Sequence, residues 1–311
     1  MNVSMRVLTS CLKMTLRIQQ PKVQYHPRLG IEVLPGCNLT ELTDQQVHEL
    51  KQSLWEHGVI VVRQQRLTAW QLEEFARQTF GNLMFGGKSK IIDLEIHPDL
   101  QSPSVAILGN PKGHTQEVVG KVAWQWHHDK DGIPRAEGLD MNALYVVMLY
   151  GVEVPKEGVD GQPHTTQFLD MIEAYNNLDY QHQQQLEQMS MYHKPPMFSK
   201  TIDADVDVPK KVHPIVSTHK VTGKKGLYLG SDTAVPVGME DKPESAKHFW
   251  QELFQTVLER TPVYSHVWHP GDIVFWDNSQ VMHRGTPYNA KKYQRIALRI
   301  GAVDTGQLNP N

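Results

Sequence analysis

Cysteine is nearly absent from this 311-residue chain, with Cys11 and Cys37 the only two. A disulfide scaffold needs more, so the fold must rest on a packed core, and a reducing, cytoplasmic setting is expected. Long apolar runs are missing as well: nothing approaches the roughly 20 residues of a membrane-spanning helix. The opening MNVSMRVLTSCLKMTLRIQQ breaks its apolar stretches with Ser, Thr and Lys, short of the roughly 7–15 continuous apolar residues of a secretory leader. Positive charge is not in excess, since 31 Lys and Arg face 34 Asp and Glu for a net −3. That excludes the basic field by which proteins hold nucleic acid or anionic lipid. No GxGxxG opens a helix and no GxxxxGK[ST] occurs, which removes dinucleotide and P-loop chemistry. There is no internal repeat, low-complexity tract or evident linker. The expected organisation is a tail over 1–15, with Met5 and Met14 as alternative starts, and one domain over 16–311.

What is present is ordinary globular material, 40% hydrophobic and 21% charged, with a generous 16 histidines. Helices are predicted at 43–57 and 68–80, opened by the capping pairs Thr43/Gln46 and Thr68/Gln71 and stopped by Gly58 and Gly81. A third, 244–259, carries Ala246, Phe249, Trp250, Leu253, Phe254 and Val257 at helical spacing. Strands are predicted at 59–63, 142–150, 263–268, 273–276 and 293–301. The last has the clearest period of two, with Ile296, Leu298 and Ile300 on one face and Arg295, Ala297 and Arg299 on the other. Together these elements predict a mainly antiparallel β domain with peripheral helices.

The chemistry concentrates in WQWHHDKDG (124–132). On extended chain, His127 and Asp129 share a face while His128 points away. A third ligand must come from elsewhere, and His283, after a short apolar strand, offers it. Two histidines and one carboxylate on one side of an ion is the arrangement that leaves positions open for oxygen and a co-substrate, and it favours Fe(II). Read singly, His127 and His283 are better explained as buried, hydrogen-bonded core histidines. Arg295 and Arg299 tip the balance. Two guanidiniums on one face of a strand demand anions or water, and the planar fork suits a carboxylate.

HxD at 127–129, HPGDIVFWDNSQVMHRG at 269–285 and RIALR at 295–299 resemble the taurine dioxygenase family of Fe(II)/2-oxoglutarate-dependent oxygenases. GIEVLPGCNL (30–39), FLDMIEAY (168–175) and HPIVSTHKVTGKKGLYLG (213–230) are similar too, so the resemblance covers about 16–301. It implies a double-stranded β-helix, the cupin-like jelly-roll, with flanking α-helices. It also implies that His127, Asp129 and His283 bind Fe(II), and that Arg295 and a threonine hydroxyl hold the far carboxylate of 2-oxoglutarate. That hydroxyl is Thr166 by count from FLDMIEAY. The tight GGxT turn usual in the family is replaced here by DGQPHTT (160–166), which leaves Thr165 open. Arg299 matches a position that meets the substrate's anionic group. Lys130, beside Asp129, and Phe85, in the segment 84–92 (MFGGKSKII), are expected to line the substrate pocket. Members acting on taurine place a histidine after the FGxL turn, and FGNLMFGGKSK (80–90) has none, which argues against taurine.

The implied activity is oxidation, by default hydroxylation, of an unactivated C–H bond in a small anionic molecule, with 2-oxoglutarate and O2 converted to succinate and CO2. Desaturation, epoxidation and cyclisation share the same ligands. Halogenation is disfavoured, because halide takes the place that Asp129 fills. A Zn(II) hydrolase has no use for a fixed second-anion anchor such as Arg295. A non-catalytic jelly-roll interaction module would be marked by a lost ligand. Many relatives associate, so a homo-oligomer stays open.

Overall fold

The computed structural model describes residues 16, 18–19, 26–33, 36–84, 98–111, 123–129, 144–193 and 211–303. The expected tail 1–15, Lys130 and Phe85 lie outside the described residues. In chain order the elements are β1 (Ile18–Gln19), β2 (Ile31–Val33), α1 (Asp44–His57), β3 (Val59–Val62), α2 (Ala69–Phe80), β4 (Ala106–Gly109) and β5 (Leu144–Glu153). There follow β6 (Thr165–Asp170), α3 (Met171–Asn176), α4 (Tyr180–Glu187), β7 (Ser190–His193), β8 (Lys211–Pro214), β9 (Val216–Thr218) and β10 (Lys225–Leu227). The chain closes with β11 (Val235–Pro236), α5 (Pro243–Arg260), β12 (Val263–Val267), β13 (Ile273–Asp277), β14 (Val281–Gly285) and β15 (Ile296–Val303).

The expected helix starts form as their sequence dictates. Thr43 and Thr68 accept the backbone N–H of Gln46 and Gln71, whose side chains bond back in complete capping boxes. Gly58 and Gly81 end α1 and α2 with positive φ and donate to Leu54 and Arg77. The start of α5 uses Pro243 instead of a side-chain cap, because proline's missing N–H is one that a first turn leaves unpaired anyway.

A seven-stranded sheet runs in the order β1-β2-β3-β13-β5-β15-β4, and a three-stranded sheet in the order β12-β6-β14. Two smaller sheets, β11-β7-β8 and β10-β9, complete the described strands. All described pairings are antiparallel except β2 with β3. That pair is parallel because α1 intervenes as a crossover and returns the chain in the same direction.

The period of two sorts the side chains into separate cores. From the large sheet, Ile60, Val62, Met148, Phe275, Leu298 and Ile300 pack with Leu50, Leu54, Leu72 and Phe75 of α1 and α2. Their alternates Val59, Val61, Val147, Val274, Trp276 and Ala297 pack with Phe168, Tyr264 and Val281 of the small sheet. The second cluster is the inter-sheet core, and the β15 face of Ala297 and Arg299 looks into it, Arg295 standing just before the strand. Beyond the small sheet, Leu169 and Met282 pack with Trp250, Phe254 and Val257 of α5.

A candidate metal centre between the sheets

On β14, Val281 faces the inter-sheet core and Met282 the helix side, so His283 points inward, directly opposite Phe168 of β6. Its ring sits between Phe168 and Trp276, with centroids at 6.1 and 4.7 Å. The segment carrying His127 adds itself to this edge. His127 and His283 exchange both backbone hydrogen bonds, at 3.1 and 3.0 Å, and Gly285 N–H reaches Ala123 O at 2.6 Å. A directly opposed pair projects its side chains to one side, and the two imidazoles stand 4.3 Å apart. Asp129, two residues on, completes the group: one ligand atom from each of His127, Asp129 and His283 lies within 4.8 Å of the others. His127 Nε2 is 3.9 Å and His283 Nε2 3.7 Å from the Asp129 carboxylate.

The chemistry of this donor set fits a divalent ion. His127 Nδ1 is 2.7 Å from Gln125 O, which fixes the proton there and leaves Nε2 bare. His283 is buried, and its Nδ1 has no hydrogen-bond partner among the described residues. Burial first, then the neighbouring His127, pulls its pKa well below the ordinary value, so the ring is the neutral ligand that a metal requires. Burial pushes the Asp129 carboxyl up, yet Arg299, His283 and His127 outweigh it and hold the group well below the usual carboxylate range.

Asn278 was not singled out in the sequence beyond its place in the DNSQ turn, and it positions this segment. It is fully buried; its Oδ1 accepts Asp129 N–H and its Nδ2 donates to Asp129 O, both at 2.9 Å. Its own carbonyl is 2.9 Å from His128 Nδ1. His128 therefore points away from the ion site, as the i, i+2 spacing requires. Trp126 packs in the α5-side core, under the Arg284 guanidinium. Composition gave no sign of the Asn278 latch, because its meaning lies in a partner 149 positions away.

Both expected arginines reach this interior. Arg295 is 8% exposed, and its backbone is paired with Asn110, whose Oδ1 accepts Arg295 N–H at 2.8 Å. The close approach requires glycine at 109, where a Cβ would fall 2.1 Å from Arg295 O. Thr166 shares the inward face of β6 with Phe168, whereas Thr165 shares the opposite face with Leu169. Trp268 Nε1 donates to Thr166 Oγ1 at 2.9 Å, leaving that hydroxyl's proton for another acceptor. Arg299, expected to meet the substrate's anionic group, also has an ion-pair role: Nε donates to Asp129 Oδ2 at 3.0 Å. Its Nη2 lies 2.8 Å from the same oxygen but out of line, and is a buried donor without a hydrogen-bond partner among the described residues. His213, His219, His266 and His269 stand apart from the centre: His219 and His266 lie against Asp277 and Asp272, His213 against His193 and Tyr228, and His269 near Asp272.

A family model for taurine catabolism dioxygenases (TauD, TfdA family) matches residues 22–300. The chain is 30% identical over 265 residues to the alpha-ketoglutarate-dependent 2,4-dichlorophenoxyacetate dioxygenase of Cupriavidus pinatubonensis, covering 80% of this chain and 85% of that protein. It is 28% identical to the (S)-phenoxypropionate/alpha-ketoglutarate-dioxygenase of Sphingobium herbicidovorans, over 83% and 86% of the two chains. A taurine dioxygenase structure from Burkholderia xenovorans superposes with a TM-score of 0.71 at 20% identity, over 93% of this chain and 90% of that one, a likeness of fold. No described helix is long and apolar enough to cross a membrane. The sequence and its relatives agree: the chain belongs to the taurine catabolism dioxygenase (TauD, TfdA) family of Fe(II)- and 2-oxoglutarate-dependent dioxygenases.

Proposed function

We propose that this enzyme is a cytoplasmic hydroxylase of small organic acids, built on a double-stranded β-helix that forms one domain over 16–311. The convergence of His127, Asp129 and His283 on the face that also receives Arg295, Thr166 and Arg299 carries this reading. Iron bound by His127, Asp129 and His283, with 2-oxoglutarate and O2, supplies the oxidation of an unactivated C–H bond. The protein's residues bind, orient and shield. Gln125 fixes the tautomer of His127, and Asn278 pins the Asp129 backbone. Phe168 and Trp276 pack against His283 and keep water from it. Arg295 would hold the far carboxylate of 2-oxoglutarate, for which its planar fork is suited, with the Thr166 hydroxyl adding its proton. The inward face of Thr166 favours it over Thr165.

Arg299, whose Nη2 ion-pairs with Asp129 at 2.8 Å but makes no aligned hydrogen bond among the described residues, receives the acidic group of the substrate. Aryloxyalkanoic acids are the first class to screen, since two relatives are named for such substrates. With Fe(II) and 2-oxoglutarate, substrate-dependent succinate formation is expected for acids and not for their amides or alcohols. Arg299→Ala should raise KM for the acid at least about tenfold, the value of one charge-assisted hydrogen bond. Equal turnover of the acids and their uncharged analogues would contradict the assignment.

A further inference from the structure

His164 ends the loop that leads into β6 and is 3% exposed. It lies in the segment DGQPHTT (160–166). Its ring packs edge-on against Tyr288 at 5.3 Å, and its carbonyl is 3.5 Å from Trp268 N, the residue whose indole holds Thr166. Tyr288 donates at 2.6 Å to Asn110 Oδ1, the oxygen that also takes Arg295 N–H. Through these contacts His164 neighbours the residues that hold Thr166 and the Arg295 backbone. The ring's Nε2 is buried and has no hydrogen-bond partner among the described residues. Such an atom is costly, and its persistence calls for a ligand or another reason.

The direction of the missing bond turns on Nδ1. Thr286 Oγ1 accepts Thr165 N–H at 2.8 Å and stands 3.3 Å from His164 Nδ1. The one proton of that hydroxyl has two acceptors in reach, Thr165 O at 3.1 Å, which also takes Thr286 N–H at 2.9 Å, and His164 Nδ1. With the hydroxyl donating to Nδ1, the ring's single proton sits on Nε2 and seeks an acceptor. Burial, followed by the Arg295 charge, draws the ring down to about 3, so it is neutral at physiological pH. A neutral donor adds a bond beside Arg295 without the repulsion of a second cation.

We propose that His164 is a third binding group for 2-oxoglutarate, donating Nε2–H to the far carboxylate beside the Arg295 guanidinium and the Thr166 hydroxyl. This rests on the 2-oxoglutarate reading of Arg295, so the test separates the two. Dissociation constants for 2-oxoglutarate are measured anaerobically on Fe(II)-loaded wild type, Arg295→Ala, His164→Phe and His164→Gln. His164→Phe keeps an aromatic ring and removes both nitrogens; His164→Gln restores an N–H donor in a different shape. The expected result is a loss of at least tenfold for His164→Phe with Fe(II) affinity unchanged, recovered in large part by His164→Gln. A packing role gives the reverse order, with phenylalanine tolerated and glutamine poor, and overturns the proposal. On Zn(II)-loaded wild type, the histidine 15N spectrum should show a protonated Nε2 of His164 that shifts when 2-oxoglutarate is added; a signal that ignores it overturns the proposal too, whether or not the variants fold. If Arg295→Ala binds 2-oxoglutarate as wild type does, the reading of Arg295 itself fails. If Arg295→Ala loses it and His164→Phe does not, His164 alone is wrong.

Discussion

Asp129, partly buried, and Asp277, fully buried, are both carboxylates held low in pKa beside histidines, yet they have opposite surroundings. Asp277, 1% exposed, accepts Ser279 N–H at 3.0 Å, Ser279 Oγ at 2.6 Å, Gln280 Nε2 at 2.7 Å and His219 Nε2 at 2.9 Å. Gln280 in turn accepts Arg28 at 2.9 Å, and Arg28 grips Asp170, the N-cap of α3. The lone pairs of Asp277 are filled by protein, and its network fixes the β13–β14 turn. The Asp129 carboxylate has one hydrogen bond among the described residues, from Arg299, and the Nε2 atoms of two histidines stand 3.9 and 3.7 Å from it. A carboxylate saturated by the chain is scaffold. One left open beside bare imidazole nitrogens is built to receive an ion. Asn278, next to Asp277 in sequence and latched to the Asp129 backbone, ties the rigid turn to the open site.

The comparison breaks most sharply at the two aspartates. Asp129→Asn should weaken Fe(II) binding by more than about a hundredfold, as loss of a ligand exceeds loss of a ligand's supporting partner, and shift urea stability little, since the amide still gives Arg299 an acceptor. Asp277→Asn should do the reverse and cost about 3 kcal/mol, because it leaves buried donors mismatched. If calorimetric titration and urea unfolding show the two variants alike, the distinction falls. Asn278→Ala belongs between them, with about tenfold weaker metal affinity and about 2 kcal/mol of lost stability from buried groups left unpaired.

A smaller effect sharpens the same contrast through pH. His164 has its folded value lowered from 6.5 to about 3, so the unfolded chain binds its proton first, and its contribution is complete above 6.5 and lost as pH falls toward 3. Asp277, with a lowered carboxyl, keeps its contribution above the ordinary 3.8 and loses it only below. Between pH 6 and 4, wild type should lose up to about 1.4 kcal/mol per pH unit more than His164→Gln, whereas Asp277→Asn should fall in parallel with wild type. Urea midpoints across that range decide it. Smallest of all, Thr68→Ala removes the α2 cap and should cost about 1 kcal/mol with 2-oxoglutarate affinity untouched.

Much of this architecture was legible before any coordinates. Thr43 and Thr68 announce helices through contacts three residues long, and β15 declares its two faces by alternation alone. The His127, Asp129 and His283 set was legible because its spacing follows a family pattern, although only the His127–His283 bridge brings its halves together. Long-range pairing resists such reading. The parallel β2–β3 pair, the Asn278 latch and the Trp268–Thr166 bond each join residues whose sequence neighbourhoods carry no mark of the partner. The bond of Arg299 to Asp129 depends on side-chain reach, which strand periodicity does not report. Lys130 and Phe85, expected in the substrate pocket, fall outside the described residues.

The central claim is that His127, Asp129 and His283 hold iron to which 2-oxoglutarate binds with Arg295 at its far end. Its most direct test is an anaerobic titration: Fe(II) is added, then 2-oxoglutarate, and the weak visible charge-transfer band of a chelated keto acid is followed. Wild type should develop the band, His283→Ala should lose it, and Arg295→Ala should need far more 2-oxoglutarate to reach it. Wild type that binds Fe(II) yet develops no band, or Arg295→Ala that saturates at the wild-type concentration, would contradict the account.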